Sequence, residues 1–290
     1  MFRRRRIGAY GVCRDARGRV LLVRAARGTQ YGGVWLLPGG GVEHGEHPDD
    51  AVAREFSEET GLGVVSAHPR EIGLSLFRSG DQLVHNDRII YDVVVGDGDL
   101  RAETDGSTDR ARWFDDDEVA DTTVTPSTAR VLGAGRSAPG LSPADVAATA
   151  AMTLDPPPPG RPSQRFGAYG LAIDPAGRIL LVRADTATGW GLPGAETAFG
   201  ESAAEGLERA LGSGYGRATE VLHVAHRVHS GDVLPAGHLI DVVMRLVVTA
   251  PIVASGFAWF ESDELRRLDL DSMTRAALAS VRAPADRAGC

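Results

Sequence analysis

The 290-residue sequence predicts an α/β protein built from two tandem copies of one domain, each a mixed sheet between helical layers. Three observations lead there. The first is repetition in a fixed order. Gly8-Ala9-Tyr10-Gly11 returns as Gly167-Ala168-Tyr169-Gly170, and Leu21-Leu22-Val23-Arg24-Ala25 returns as Leu180-Leu181-Val182-Arg183-Ala184. Leu37-Pro38-Gly39 returns as Leu192-Pro193-Gly194, and Trp113-Phe114 as Trp259-Phe260. A repeat of whole-domain length marks a duplication. The second is the alternation of β-branched, strand-like runs with one well-signalled helix per copy. The third is length, sufficient for two separate cores.

Taken in order, Ile7 to Cys13 and Arg19 to Arg24 read as two strands of a hairpin around the turn Asp15-Ala16-Arg17-Gly18. Asp174-Pro175-Ala176-Gly177 repeats that turn. A glycine-rich loop follows, and then a helix. His47 is its expected N-cap, Pro48 sits at N1 where a missing N–H is harmless, and Asp49 and Asp50 suit the helix dipole. Gly61 is its expected left-handed stop. In the copy, Ser202-Ala203-Ala204-Glu205 is a capping box. Arg88 to Val95 and His238 to Val248 read as strands, and Asp116 to Ala120 and Glu261 to Arg266 as the beginnings of final helices. The expected domains are residues 1–134 and 164–290. The Ala/Pro-rich segment 135–163 is their linker, with a short helix over 143–152 capped by Ser142.

On the helix after the first glycine loop, Glu55, Glu58 and Glu59 fall at i, i+3 and i+4 and share one face. Like charges so spaced cost an isolated helix about 0.2–0.5 kcal/mol per pair. Arg54, four residues before Glu58, offsets part of this. Fold stability alone does not select three converging carboxylates, whereas a hard divalent cation does.

The full spacing is Gly40, five residues, Glu46, seven residues, Arg54-Glu55, Phe56, one residue, Glu58-Glu59, one residue, Gly61-Leu62. This is the complete Nudix box, and the first half resembles the Nudix hydrolase family over its length. The resemblance implies two tandem Nudix-type α/β/α sandwich domains with mixed sheets and a Mg²⁺- or Mn²⁺-dependent hydrolase that cleaves a diphosphate linkage. Carried over by position, Glu55, Glu58, Glu59 and the carbonyl of Gly40 would hold the metal. Glu46 would pair with Arg54 and brace the loop. Glu59 would orient or deprotonate the attacking water, with Glu103 and nearby Asp105 as later-loop equivalents. Arg24 and Arg88 are candidate contacts to the substrate phosphates.

The second box has lost this chemistry. Ala195 stands for Gly40, and Ala210, Ser213 and Gly214 stand for Glu55, Glu58 and Glu59, while Glu201 and Arg209 persist. The expectation is a degenerate domain that keeps the fold, pairs with the first as an intrachain pseudo-dimer and has no metal site. A homodimer is also compatible with the family's habits. His223, His226 and His229 fall on a strand that splits them between two faces, so they read as no metal site; His85 and His238 read as packing or surface residues.

Composition narrows the partners. The net charge is −8, and every one of the 31 basic residues is arginine. An acidic chain disfavours a nucleic-acid polymer as partner. No apolar run reaches the length of a membrane span, and the N-terminus lacks the pattern of a secretory signal, so a cytoplasmic protein is expected. Arg3 to Arg6 read as a solvated, frayed terminus, with a phosphate or lipid contact as the alternative. Cys13 reads as a small buried residue and Cys290 as a loose terminus. The expected substrate is a small-molecule diphosphate, such as a nucleoside diphosphate derivative, with Trp35 and Tyr91 as the candidates for base stacking. The alternatives are a prenyl diphosphate, or a ligand sensor that has abandoned hydrolysis.

Overall fold

The computed structural model describes residues 2–103, 106–140, 163–183, 189–212, 214–229, 237–252 and 255–282. The expected linker helix over 143–152, Asp105, Ser213 and Cys290 lie outside the described residues. The chain divides into two compact units, Met1–Gln164 and Arg165–Cys290.

In the first unit, β1 (Phe2–Cys13), β4 (Gly39–Gly41), β5 (Val64–Ser79) and β6 (Gln82–Val95) form a sheet in the order β4-β1-β6-β5. The sheet is mixed: β1 runs parallel to β6 and antiparallel to β4, and β5 and β6 form a hairpin. A second sheet, in the order β7-β2-β3-β8-β9, contains β2 (Val20–Ala25), β3 (Trp35–Leu36), β7 (Thr108–Phe114), β8 (Thr123–Val124) and β9 (Arg136–Ser137).

The turn at Asp15–Gly18 forms, with Gly18 N–H donating to Asp15 O at 2.9 Å. The hairpin does not. β1 and β2 enter different sheets, and their backbones pair through the bridge between Arg14 and Val20. The reason is burial on both faces. Val20, Leu21, Leu22 and Val23 are completely buried, so β2 is a core strand and takes β3 and β7 as neighbours. β1 has its own two edges occupied by β4 and β6. The arginine run is also not frayed: Arg3 to Arg6 pair residue by residue with Leu83 to Asn86.

α1 (Pro48–Thr60) starts and stops where its caps predict. The His47 side chain accepts the Asp49 N–H, and Gly61 closes the helix at φ 74°. Phe56 is fully buried and lies against Gly11 and Val93, so α1 covers that face of the first sheet. On the opposite face Tyr10, Val12 and Ile90 pack with Val20, Leu22 and Phe114 of the second sheet. Val119 of α2 (Asp116–Asp121) and Val131 of α3 (Pro126–Leu132) complete this layer. α3 is a helix beyond those expected. Its signal is the same as that of α1, an N-cap followed by proline: Thr125 accepts from Thr128 N–H and Pro126 opens the helix.

The second unit repeats the strand orders. β10 (Ser163–Leu171), β13 (Gly194–Glu196), β14 (Gly216–His229) and β15 (Gly237–Val248) form a sheet in the order β13-β10-β15-β14. β11 (Ile179–Arg183), β12 (Trp190–Gly191) and β16 (Phe257–Phe260) form another, in the order β12-β11-β16. Its central helix, Ala203–Leu211, carries the expected Ser202–Glu205 capping box. It is nine residues long against thirteen for α1. Gly212 takes φ 89° and ends it, because glycine in a helix interior costs about 1 kcal/mol relative to alanine. Of the expected helix at Glu261–Arg266, only a 3₁₀ turn at Glu264–Arg266 forms, and the terminal helix is Ser272–Arg282. His85 and His238 are both completely buried and so are not surface residues.

Candidate active site

The first unit contains a cavity of about 670 Å³ over the β-sheet face that carries Tyr10. Gly39, Gly40, Glu55 and Glu59 line one part of it; Arg6, Asn86, Arg88 and Arg130 line another. The glycine loop and α1 place the acids. Glu59 lies in the last turn of α1, only 2% exposed, and its Oε2 accepts the Gly39 N–H at 2.8 Å. Burial, and then the nearby Glu55, Glu103 and Glu58, push its carboxyl well above the usual carboxylate range, against the opposing Gly39 hydrogen bond. Glu55 is shifted the same way by burial, with Arg54 opposing.

Glu55 lies directly on Gly40. A Cβ on that glycine would stand 2.5 Å from the Glu55 carboxyl carbon and 2.6 Å from Oε2. Glycine at position 40 is therefore what gives the carboxylate its place. Glu58, with its side chain 48% exposed, is tied to Arg54 Nη1 at 3.1 Å, and the same nitrogen donates to Glu55 Oε1 at 3.0 Å. Among the described residues, no three acid, histidine or cysteine side chains yet stand close enough together to hold one ion. The donors themselves fit a hard cation, because they are all oxygens and carry more negative charge than Arg54 alone balances.

Arg54 braces the loop. It donates to both Glu46 oxygens, at 2.8 and 3.0 Å, and to Gly41 O at 3.0 Å. The second unit keeps the same brace: Arg209 donates to both Glu201 oxygens, at 2.8 and 3.0 Å, and to Glu196 O at 2.8 Å. There the matching helix face carries Ala210, and Gly214 lies past the helix end. The brace is thus part of the fold and separable from the carboxylates. Arg54→Ala is expected to lower stability by about 1–3 kcal/mol, since it strands a half-buried acid and a carbonyl. Arg209→Ala should cost less, because that arginine is more exposed. Thermal unfolding of the two variants of the full chain checks this.

The remaining candidates separate. Arg88 lines the cavity, only 9% exposed, with its guanidinium carbon 3.6 Å from the centre of the Tyr10 ring. Glu103 accepts from Thr108 N–H and Oγ1 at 3.1 and 3.2 Å, on a loop close enough for Glu59 to feel its charge. Arg24 pairs with Asp109 at 2.7 Å and is not among the residues that line the cavity. Neither are Trp35, which packs edge-on against Phe114, and Tyr91, whose buried hydroxyl donates to Asp49. Tyr10, Tyr31 and Phe77 are the aromatics that do line it. Arg6, from the arginine run, also faces the cavity, as do Ser75, Asn86 and Arg130, which the sequence did not single out. Cross-strand register brings the first three together: Arg6 is beside Asn86, and Asn86 beside Ser75.

A sequence model described as the NUDIX domain matches residues 3–133. The match lies within the first unit. Among curated proteins, a Mycobacterium tuberculosis relative is 33% identical over 131 residues, 44% of this chain and 59% of the relative. The ADP-ribose pyrophosphatase of Methanocaldococcus jannaschii is 33% identical over 97 residues, 33% of this chain and 54% of that protein. The 8-oxo-dGTP diphosphatase of Proteus vulgaris is 38% identical over 56 residues, 19% of this chain and 50% of that protein. The chain therefore spans little more than half the length of these relatives. Among solved structures, the MutT protein from Methanosarcina mazei Go1 is 26% identical, covers 46% of this chain and 92% of its own, and has a TM-score of 0.37. Family members are pyrophosphatase-type hydrolases of small-molecule diphosphates that use divalent metals. Among the described residues, no helix is long and apolar enough to cross a membrane.

Proposed function

We propose that the first unit is a Mg²⁺-dependent hydrolase of a diphosphate linkage in a nucleoside diphosphate derivative or a related organic diphosphate. We propose also that the second unit is a degenerate copy without hydrolytic activity. The observation that carries the reading is the placement of Glu55 and Glu59 in the cavity wall, beside Gly40 and with Glu58 on the same helix. The metal would be held by these three carboxylates and the Gly40 carbonyl. When bound, it neutralises phosphate oxygens and lowers the pKa of a coordinated water.

The protein's own residues supply the rest. Glu59 is fixed by the Gly39 N–H and buried away from bulk water. It would take the proton of the attacking water, an effect typically worth about 10²–10⁴-fold. Glu103, whose charge is felt at Glu59, would be the later-loop alternative for that role. Arg54 fixes the loop through Glu46, so that the helix and the Gly40 carbonyl keep their relative positions. Arg6 and Arg88 supply positive charge along the cavity for the substrate's phosphates.

The polar wall of Ser75, Asn86 and Arg88 disfavours a prenyl tail, which needs an apolar sleeve. The carboxylates disfavour a pure sensor, because without metal chemistry they only destabilise the site. The test is release of phosphate or nucleotide from a panel of diphosphates with Mg²⁺. Turnover is expected, with loss in EDTA and recovery on adding Mg²⁺ back. Absence of turnover across the panel would leave the sensor reading. If the second unit were active, the full-length Glu59→Gln chain would retain Mg²⁺-dependent hydrolysis.

A further inference from the structure

Three buried polar atoms with no hydrogen-bond partner converge on the strand side of the cavity: Arg88 Nε, Asn86 Oδ1 and Ser75 Oγ. Buried polar groups are nearly always partnered, and a cluster of exceptions lining one cavity points to a ligand. Asn86 and Arg88 stand two residues apart on one face of β6, and Ser75 is the register partner of Asn86 on β5. Arg88 is also a cation without an anion. Within the described residues neither its side chain nor that of Arg6 makes an ion pair or a hydrogen bond. The stack on Tyr10 offsets only part of what burying a guanidinium costs.

The acids of the catalytic end do not serve as its counter-charge. The Tyr10 ring lies against Gly39 and Gly8, where the Gly40 carbonyl also approaches, and so stands between the β4 end of the cavity and Arg88. The second unit provides a built-in contrast. In the first unit Arg88 is the register partner of Gly8, the first glycine of Gly-Ala-Tyr-Gly. In the second, the side chain facing the equivalent Gly167 is Asp241, fully buried and paired with Arg227 at 2.7 Å. That copy carries its own carboxylate for the guanidinium. The first unit has the guanidinium alone.

We propose that Arg88, Asn86 and Ser75 form an oxyanion subsite that takes a second anionic group of the substrate, beyond the phosphates that face Glu55 and Glu59. The inference rests on the cavity being the substrate site proposed above. The anion is a phosphoryl or carboxylate oxygen cluster. Arg88 donates from Nε and Ser75 donates its hydroxyl; the Asn86 Nδ2, which in the structure donates to the Tyr10 hydroxyl at 3.5 Å, would turn towards the anion on binding, leaving the amide oxygen to accept from Tyr10. The substrate class is then a diphosphate with one further negative group, either a third phosphoryl in the chain or an acid on the organic part.

Two pairs of compounds distinguish these sources: GDP against GTP, and UDP-glucose against UDP-glucuronate. Binding is measured by calorimetry on the full chain in EDTA, and hydrolysis separately with Mg²⁺. In one pair, the more anionic member is expected to bind about tenfold tighter or better. Which pair responds names the source. Arg88→Met should bring that ratio to about one, and Arg88→Lys should keep part of it, with far-ultraviolet circular dichroism confirming that both variants are folded. Should Arg88→Met fail to fold, Ser75→Ala and Asn86→Leu are expected to reduce the same ratio. Equal affinity within both pairs in the wild-type chain, or ratios unchanged in the folded variants, would overturn the subsite. Retained binding preference without any Mg²⁺-dependent turnover would remove the hydrolase reading and leave the subsite standing.

Discussion

Glu59→Gln in the full chain is expected to lower kcat/KM for a diphosphate substrate about 10³-fold and at the same time to raise the melting temperature of the metal-free protein. Both effects come from one geometry. Glu59 is buried, its oxygen is fixed by the Gly39 N–H, and Glu55, Glu103 and Glu58 add like charge around it. A glutamine keeps the size and the hydrogen bond to Gly39, but it neither takes a proton from water nor offers a charged oxygen to a metal. The stability gain has a defined sign. The folded-state carboxyl is raised above its unfolded value, so its contribution is fully present below the ordinary carboxylate pKa and is lost as pH rises through the folded value. The advantage of Glu59→Gln in EDTA should therefore be small near about pH 4 and grow towards about pH 8. Melting curves across that range check it, and a constant difference would contradict the buried-charge account. Added Mg²⁺ should stabilise the wild-type chain more than the variant, because a ligand of the native state acts by mass action.

Gly40→Ala is expected to lower turnover about 10²-fold with a stability loss under about 1 kcal/mol. The new Cβ would overlap the end of the Glu55 side chain, which is flexible and can swing aside. What is lost is the carboxylate's place against Gly40 and its link to Arg54 Nη1. The effects of Gly40→Ala and Glu55→Ala on turnover should then be strongly non-additive, as expected of neighbours that act through one contact. The double variant Gly40→Ala/Glu55→Ala should be no less stable than Gly40→Ala and no less active than Glu55→Ala. The second unit already carries this pair as Ala195 and Ala210. A double-mutant cycle on kcat/KM and melting temperature decides the matter. Simple addition in both would show that the glycine serves another purpose.

How much of this was legible in the sequence varies with the range of the interactions. α1 and its limits are set by groups within a few residues of one another: His47 and Asp49, Pro48, and Gly61 in its left-handed conformation. The Arg54–Glu46 brace spans eight residues of one loop and helix and is what the resemblance of the box to the Nudix family implies. The shortened helix of the second unit follows in the same way from Gly212. The partners of β1 and β2 are different in kind. Their sequences describe two apolar strands joined by a good turn, and such a pair reads as a hairpin. Which edge pairs with which is decided by burial of both faces between α1 and the second sheet.

The sequence by itself determined the duplication, the helix that carries Glu55, Glu58 and Glu59, and the absence of those acids from the second copy. Each is written in adjacent residues or in a repeat, where local geometry leaves little choice. Only the tertiary structure decided that Arg88 shares a cavity with Glu55 and Glu59 while Arg24 faces Asp109, and that Arg6, Asn86 and Ser75 meet across three strands. The physical reason is that side chains from separate strands meet through register, and register depends on packing the whole sheet rather than on any one segment.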